Sequence, residues 1–208
     1  MQPNFDGGDD RAFTPQYLEA FHSIRSGRIG QIIQIVIRWF ENKTIGVNWE
    51  KKQVSIDEKT STVLYHHGSH MLDVALWFAG DELADIHVAG AKRQILNDDV
   101  AVLMRTKKGI IITSVYSFNS SQEHHDVVVI GTKGVVEIAG YEELKINGQT
   151  RVKTTWAQGL EQGVNNQAAE FAASIRQNRP SVAAGRELLA SFDALDRAYL
   201  QLQRQGPA

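Results

Sequence analysis

Cysteine is missing from this 208-residue sequence, which excludes disulfide bonds, thiolate catalysis and zinc sites built on cysteine. Proline is scarce, and the seventeen glycines follow no collagen-like repeat. Basic charge is not in excess, because 22 Lys and Arg face 24 Asp and Glu, so nothing favours nucleic acid or an anionic membrane as a partner. Apolar runs are far shorter than the ~20 residues of a membrane span, and the polar N-terminus does not resemble a signal peptide. We therefore expect a soluble, cytoplasmic protein.

The composition that is present is that of an ordinary globular protein, with 42% hydrophobic and 22% charged residues. This length is enough for one sizeable hydrophobic core. We predict a flexible arm over residues 1–13 and a folded domain over residues 14–208. Apolar residues at helical spacing predict helices over residues 14–26, 63–79, 165–177 and 184–203.

Elsewhere the hydrophobic period is two, which is typical of strands. The predicted strands cover residues 31–40, 83–92, 100–106, 110–118, 126–131, 135–138, 143–146 and 150–155. Short connections such as Asn147-Gly148 favour antiparallel pairing, because parallel strands need long crossovers. The predicted fold class is therefore α+β, a mainly antiparallel open sheet with helices packed on one face. The other face is left to water or to a partner.

The densest polar cluster is the segment His66-His67-Gly68-Ser69-His70-Met71-Leu72-Asp73. If the helix already includes His66, then His66, His70 and Asp73 share one narrow face. An imidazole beside a second imidazole or a carboxylate is suited to general acid–base chemistry. The alternative is a set of surface or capping histidines at a helix start. A glycine at position 68 is costly within a helix unless another backbone or a ligand approaches closely.

The same three residues also allow a metal site, since they offer two imidazoles and one carboxylate. The His-Glu-x-x-His signature of zinc proteases is absent, however. Arg38 and Trp39, on the first predicted strand, are further candidates for lining a cleft. No G-x-G-x-x-G segment or P-loop occurs, so the chain alone carries no recognisable nucleotide site.

Several motifs together resemble the C-terminal domain of the Gfo/Idh/MocA oxidoreductases, the relatives of glucose–fructose oxidoreductase and inositol dehydrogenase. The central one is similar to the family's D-x-G-x-H-x-x-D segment, which is followed by a Trp and a Gly. In this chain the corresponding residues are His66, Gly68, His70, Asp73, Trp77 and Gly80. Residues 17–30, the Gly-Thr-Lys-Gly turn at 131–134 and the Glu-Phe-Ala and Arg-Pro-Ser steps at 170–172 and 179–181 match in the same order. The His motif, from Tyr65 to Asp73, is closest to that of the 4-carboxy-2-hydroxymuconate semialdehyde dehydrogenases.

This resemblance implies an enzyme of two domains, of which this chain holds the second. An N-terminal Rossmann domain, expected to be absent from this chain, would bind NAD or NADP. The C-terminal domain, similar to that of glyceraldehyde-3-phosphate dehydrogenase, would bind a small-molecule substrate and form a homodimer or homotetramer through the open sheet face. This chain alone is then expected to be inactive.

The resemblance also implies roles for individual residues. His70 matches the proton-relay position of the family, with His66 and Asp73 orienting or polarising the substrate. His66 is a departure, because most members carry Asp there. His67, Arg38 and Trp39 are the candidates for substrate binding, and Gly68 is the candidate for a close approach to the cofactor.

Three hypotheses for the function follow. The first is a substrate-binding and oligomerisation domain of an NAD(P)-dependent dehydrogenase, which moves hydride between nicotinamide and a substrate hydroxyl or hemiacetal. The second is a metal-dependent enzyme built on His66, His70 and Asp73. The third is a stand-alone binding module that uses the open sheet face without catalysis.

Overall fold

The computed structural model describes residues 10–42, 62–91, 99–180 and 188–205. It contains a 3-10 turn at Asp10–Phe13, a π-helical turn at Leu64–Gly68, and four α-helices: α1 (Pro15–Arg25), α2 (Ser69–Ala79), α3 (Trp156–Arg176) and α4 (Leu189–Arg204). The strands are β1 (Ile32–Asn42), β2 (Leu83–Ala91), β3 (Asp99–Thr106), β4 (Ile111–Ser117), β5 (Asn119–Gly131), β6 (Gly134–Ala139), β7 (Glu143–Ile146) and β8 (Gln149–Lys153). No helix of the described residues is long and apolar enough to cross a membrane.

The strands form one open sheet in the order β2-β3-β4-β1-β5-β6-β7-β8. The pairs β2–β3, β3–β4, β5–β6, β6–β7 and β7–β8 are antiparallel, and Asn147-Gly148 adopts the positive φ angles that a tight hairpin needs. The pair β1–β4 is parallel, which differs from the predicted antiparallel pattern. These two strands are separated by α2, β2 and β3, a connection long enough for a crossover. The α+β class and the mainly antiparallel sheet are confirmed.

The two faces of the sheet differ sharply in burial. One face is covered, and its inward side chains form the core; among them are Ile35, Ile37, Trp39, Met104, Ile112, Tyr116, Val127 and Val136. Helices α1 and α2 pack over this face and on each other, with the rings of Phe21 and Trp77 stacked at 4.3 Å. The intervening strand residues are half-buried or exposed on the opposite face, which we call the open face. Strand alternation therefore divides the apolar residues between a helix-covered core and a surface.

Three predicted boundaries differ from the structure by four residues or more. The flexible arm does not extend through residue 13, because Asp10–Phe13 form a helical turn in which Ala12 and Phe13 are buried. Strand β5 begins at Asn119, seven residues early. Helix α3 begins at Trp156 rather than at residue 165, since Thr155 and Gln158 form a capping box that starts it there. Residues 1–9, residue 92 of the second predicted strand and residues 184–187 of the last predicted helix lie outside the described residues.

The predicted helix over residues 63–79 is one continuous helical segment with a change of winding. Its first part, Leu64–Gly68, is π-helical, and it continues directly into α2. Gly80 ends the segment in the left-handed conformation at φ 57°, as a C-terminal glycine does. π-helical turns are rare and occur frequently at functional sites, so the His-rich segment lies in an unusual part of the fold.

The edge strand β2 is covered by side-chain amides of α4. Gln201 accepts a hydrogen bond from Val88 N at 3.1 Å and donates one to Ile86 O at 2.7 Å. Gln205 accepts from Gly90 N at 3.2 Å and also donates to Val88 O. The two side-chain amides lie one helical turn apart. They hydrogen-bond the outward-facing backbone groups of Ile86, Val88 and Gly90, as a neighbouring strand would. This arrangement protects an edge that could otherwise pair with another chain.

Removing both amides is expected to destabilise the domain. Each hydrogen bond contributes about 0.5–1.5 kcal/mol net, so the double variant Gln201→Ala, Gln205→Ala should lose about 2–4 kcal/mol of unfolding free energy. Urea denaturation followed by circular dichroism measures this loss. The matched control is Gln203→Ala, an exposed residue of the same helix, which should change the unfolding free energy little. If the double variant and the control have equal unfolding free energies, these hydrogen bonds do not stabilise the domain.

Candidate functional site

The π-helical turn divides the two adjacent histidines between solvent and core. His66 is exposed, whereas His67 is buried, with only 4% of its side chain accessible. Their Nδ1 atoms nevertheless lie 3.3 Å apart, within hydrogen-bond distance. Both rings contact the ring of Phe118, which follows β4, at 5.5 and 5.1 Å between centroids. An exposed imidazole is therefore coupled directly to a buried one.

The buried end of this pair meets a carboxylate on β1. Glu41 Oε1 lies 3.4 Å from His67 Nε2 and 3.5 Å from Nε2 of His125, and it accepts a hydrogen bond from Trp39 Nε1 at 3.2 Å. The Glu41 side chain is 14% exposed, and of these three nitrogens only Trp39 Nε1 donates a hydrogen bond to it, whereas the two imidazole nitrogens lie at ion-pair distance. Three nitrogen groups from three segments thus converge on one oxygen.

Aromatic rings enclose the same residues. The centroid of the Trp39 ring lies 4.1 Å from that of His125, and Trp156 at the start of α3 contacts His125 at 5.0 Å. The Arg11 guanidinium stacks over Trp39 at 4.8 Å. Gly140 lets Trp156 come close, because a Cβ there would lie 2.6 Å from the indole. We call His66, His67, Trp39, Glu41, His125 and Trp156 the imidazole–indole cluster.

The sequence analysis did not single out Glu41 and Trp156, although one signal could have found Glu41. Trp39 and Glu41 are two residues apart on a strand, so their side chains share a face. His125 is the partner of Trp39 in the β1–β5 register, which places it on that face too. That register joins residues 86 positions apart, and no local pattern reveals it.

Arg38 and Trp39, which we predicted to line one cleft, lie on opposite faces of the sheet. Trp39 is buried in the cluster, whereas Arg38 points to the open face and forms an ion pair with Asp126. The hydrogen bond with Asp126 raises the pKa of the Arg38 guanidinium, which stays charged. The pair borders a cavity of about 560 Å³ on the open face, where Glu137 and Lys145 also lie. Adjacent strand residues alternate, so Trp39 packs against His67 and His125 in the core, whereas Arg38 borders the cavity that His124, His125 and Trp156 also line.

Asp73, predicted to share a face with His66, is buried beside α4. Its Oδ1 accepts a hydrogen bond from Ser191 Oγ at 2.7 Å, and only 3% of the residue is exposed. Asp73 lines a separate cavity of about 380 Å³ with Arg25 and Trp77. The face calculation assumed 100° per residue, and the wider π-helical turn that contains His66 departs from it. His70, the second residue of α2, is half-buried.

Gly68, predicted to approach the cofactor, is buried against two leucines. A Cβ at this position would lie 3.0 Å from Leu64 Cδ1 and 3.5 Å from Leu195 Cδ2. The close approach that a glycine in this turn allows in the structure is therefore that of core side chains.

The metal hypothesis gains no geometric support from the described residues. Over residues 10–42, 62–91, 99–180 and 188–205, no three His, Asp or Glu side chains are grouped so that they could hold a metal ion.

Comparisons with known proteins place this fold. The 4-carboxy-2-hydroxymuconate-6-semialdehyde dehydrogenase of Sphingobium sp. (strain NBRC 103272 / SYK-6) is 23% identical over 202 residues, which are 96% of this chain and 62% of the relative. The crystal structure of a myo-inositol dehydrogenase from Corynebacterium glutamicum is similar at a TM-score of 0.72 and 17% identity, over 94% of this chain and 61% of that one. The WlbA dehydrogenase from Bordetella pertussis, solved with NADH and UDP-GlcNAcA, has a TM-score of 0.73 at 15% identity, over 95% and 62%.

The chain thus spans about three-fifths of the length of these relatives. A family model, the GFO/IDH/MocA C-terminal domain, matches residues 17–137, which include β1, the π-helical turn and the His-rich segment. Since this match covers more than half of the chain, the chain belongs to the Gfo/Idh/MocA oxidoreductase family and corresponds to the C-terminal domain of that family.

Proposed function

We propose that this chain is the substrate-binding and oligomerisation domain of an NAD(P)-dependent dehydrogenase. The hydride would pass between nicotinamide and a substrate hydroxyl or hemiacetal. The observation that carries the proposal is the position of the His-rich segment within the matched family domain. In that segment the exposed His66, whose Nδ1 lies 3.3 Å from Nδ1 of the buried His67, precedes His70 by about one helical turn. This is an arrangement suited to binding a hydroxyl group and moving its proton.

The cofactor is supplied from outside this chain in the proposal. The sequence has no glycine-rich turn before a helix that could cradle a pyrophosphate, and the one glycine of the site, Gly68, packs on leucines. A dinucleotide-binding domain, the part of the relatives that this chain does not span, would hold NAD or NADP. NADH in the WlbA dehydrogenase structure supports this choice of cofactor. When bound, the nicotinamide accepts or returns the hydride.

Within this chain, His70 takes the hydroxyl proton as the C–H bond breaks and returns it in the reverse direction. His66 and His67 orient the substrate beside it, and the Trp39 and Trp156 indoles wall the site on the sheet side. Asp73, held by Ser191, orients the helix that carries His70 rather than touching the substrate. The proposed roles differ from the sequence hypothesis at Asp73 and Arg38 and keep it at His70.

The proposal predicts an activity that depends on the second domain. In the two-domain protein, in which a dinucleotide-binding domain precedes this chain, NAD or NADP should be reduced when a polyol or a hydrated semialdehyde is added. This chain alone should show no such reduction, because it lacks the cradle for the cofactor. Absorbance of the reduced nicotinamide measures both reactions, with myo-inositol and 4-carboxy-2-hydroxymuconate-6-semialdehyde as probes. Turnover by this chain alone on addition of zinc or iron would instead support the metal-dependent enzyme.

A further inference from the structure

Helix α3 carries a stripe of exposed apolar side chains. Its members are Leu160, Val164, Phe171 and Ile175, which are 36%, 49%, 61% and 65% exposed. At about 100° per residue, all four lie within an arc of about 60° around the helix. Single exposed apolar residues are ordinary on a protein surface, whereas several large ones aligned on one face indicate an interaction surface. We call these four residues the α3 stripe.

The α3 stripe is not the face by which α3 packs on this domain. The packing face consists of glycines and short polar side chains: a Cβ at Gly159 would lie 2.1 Å from Tyr141 O, and Gly163 and Ser174 are buried. It lies about 100° around the helix from the stripe. A surface helix normally turns its apolar face to the core. Here the apolar stripe is turned away from the core, so we expect a second surface to cover it.

The described chain begins against the same helix. The 3-10 turn Asp10–Phe13 packs on α3, and Phe13 O accepts a hydrogen bond from Asn166 Nδ2 at 2.9 Å. The matched family model is that of a C-terminal domain, and about two-fifths of the relatives' length lies outside the match. A domain that precedes this chain would therefore join it beside α3.

The α3 stripe also begins next to the imidazole–indole cluster. Trp156, the first residue of α3, contacts His125 at 5.0 Å between ring centroids, and Leu160 follows Trp156 by about one helical turn. Reacting atoms must approach to ~3–3.5 Å, so a domain that carries nicotinamide has to lie against the substrate site. A domain seated on the stripe meets this requirement, because the stripe and the cluster are continuous along one helix.

We propose that the α3 stripe is the surface on which the dinucleotide-binding domain of the two-domain enzyme docks. This inference rests on the proposed function, which supplies that domain. The stripe itself carries no charge, and Glu161 beside it is exposed. The partner surface is therefore apolar at its centre and polar at its rim, as protein interfaces are. Residues 160–175 rise over about 22 Å, a length that suits the roughly 600–1,500 Å² of an inter-domain contact.

Hydroxyl-radical footprinting with mass spectrometry measures the exposure of these side chains without substrate or turnover. Labelling of Phe171 and Ile175 should be about fivefold lower in the two-domain protein than in this chain alone, since side chains at the centre of an interface are fully buried. Leu200, which is 51% exposed on α4 beside β2, should be labelled alike in both proteins.

Two outcomes of the footprinting would overturn the inference. One is equal labelling of Phe171 and Ile175 in the two proteins. The other is protection of both residues in this chain alone as its concentration rises, because the occupant of the stripe would then be a second copy of this chain.

The double variant Phe171→Asp, Ile175→Asp places two charges at the centre of the proposed contact. Both positions are exposed, so this chain should keep its fold, which circular dichroism checks. Losing one buried aromatic contact shifts a docking equilibrium by about tenfold or more. In the two-domain variant, labelling of Leu160 and Val164 should therefore rise to the level seen in this chain alone. Leu200→Asp is the matched control and should leave their labelling low, whereas low labelling in the double variant would overturn the inference.

Hydride transfer distinguishes this inference from the proposed function. A two-domain protein that transfers hydride while its α3 stripe is labelled as strongly as in this chain alone would overturn the docking surface and leave the proposed function intact. A protected stripe in a protein that transfers no hydride to or from NAD or NADP would support the docking surface and contradict the proposed function.

Discussion

Replacing His70 by asparagine in the two-domain protein is expected to lower kcat by at least about a hundredfold. An imidazole can take the hydroxyl proton as hydride leaves, whereas an asparagine amide can hold the hydroxyl group but cannot accept its proton. General acid–base groups contribute ~10²–10⁴-fold to rate, and the lower end of that range sets the expected loss. Steady-state kinetics with the nicotinamide absorbance as the signal measure it.

Stability should change little in the same variant, because His70 is half-buried at the start of α2 and is not part of the apolar core. His87→Asn, at an exposed position of β2, is the matched control and should keep both kcat and stability. His66→Asn should cost less than His70→Asn, since His66 is proposed to orient the substrate and His70 to transfer its proton. If the His70→Asn protein unfolds readily but keeps a near-normal kcat, His70 is a structural residue. Its assignment as the group that takes the hydroxyl proton would then be wrong.

Introducing a charge at the centre of the open face, by Val36→Asp, is expected to convert an oligomer to single chains. Val36 lies between Val128 on β5 and Thr113 on β4, and Leu103 on β3 is the next residue of the same row. Leu103 is 46% exposed, which is high for a leucine in a central part of a sheet. We propose that this face forms the homodimer or homotetramer contact.

In a symmetric contact the same patch meets its own copy, so two aspartates would be buried near each other. Like charges brought together cost several kcal/mol, enough to dissociate the assembly. Multi-angle light scattering measures the mass of wild type and variant. Val164→Asp, the same change at a half-exposed site on α3, is the control and should leave the mass as in the wild type. A wild-type chain that is single at high concentration would contradict the proposal.

The fold was largely predictable because its elements carry local patterns. The alternation of Val100, Val102 and Met104 marks a strand, and Gly80 marks the end of a helix, without any knowledge of the rest of the chain. The parallel pairing of β1 with β4 could not be predicted in this way, because which distant strands become neighbours depends on the packing of the whole sheet.

The candidate site was predictable only in part, for the same reason. The His66–His70 segment stands out by composition alone. Its π-helical turn does not, because the 3.6-residue period gives no sign of wider winding. Glu41 joins the site through a β1 strand that lies next to the π-helical turn only in the folded chain, and His125 joins it through cross-strand register.

The central claim is that this domain forms the substrate site of a dehydrogenase, and single-turnover transfer of deuterium tests it most directly. The two-domain protein is mixed with NAD or NADP and with myo-inositol or the hydrated 4-carboxy-2-hydroxymuconate-6-semialdehyde, deuterated at the carbon to be oxidised. Mass spectrometry then follows the label. Oxidation of one of these probes is expected to place the deuterium on the nicotinamide ring, and His70→Asn is expected to slow this step. Product whose deuterium is lost to water, with none on the cofactor, would contradict it.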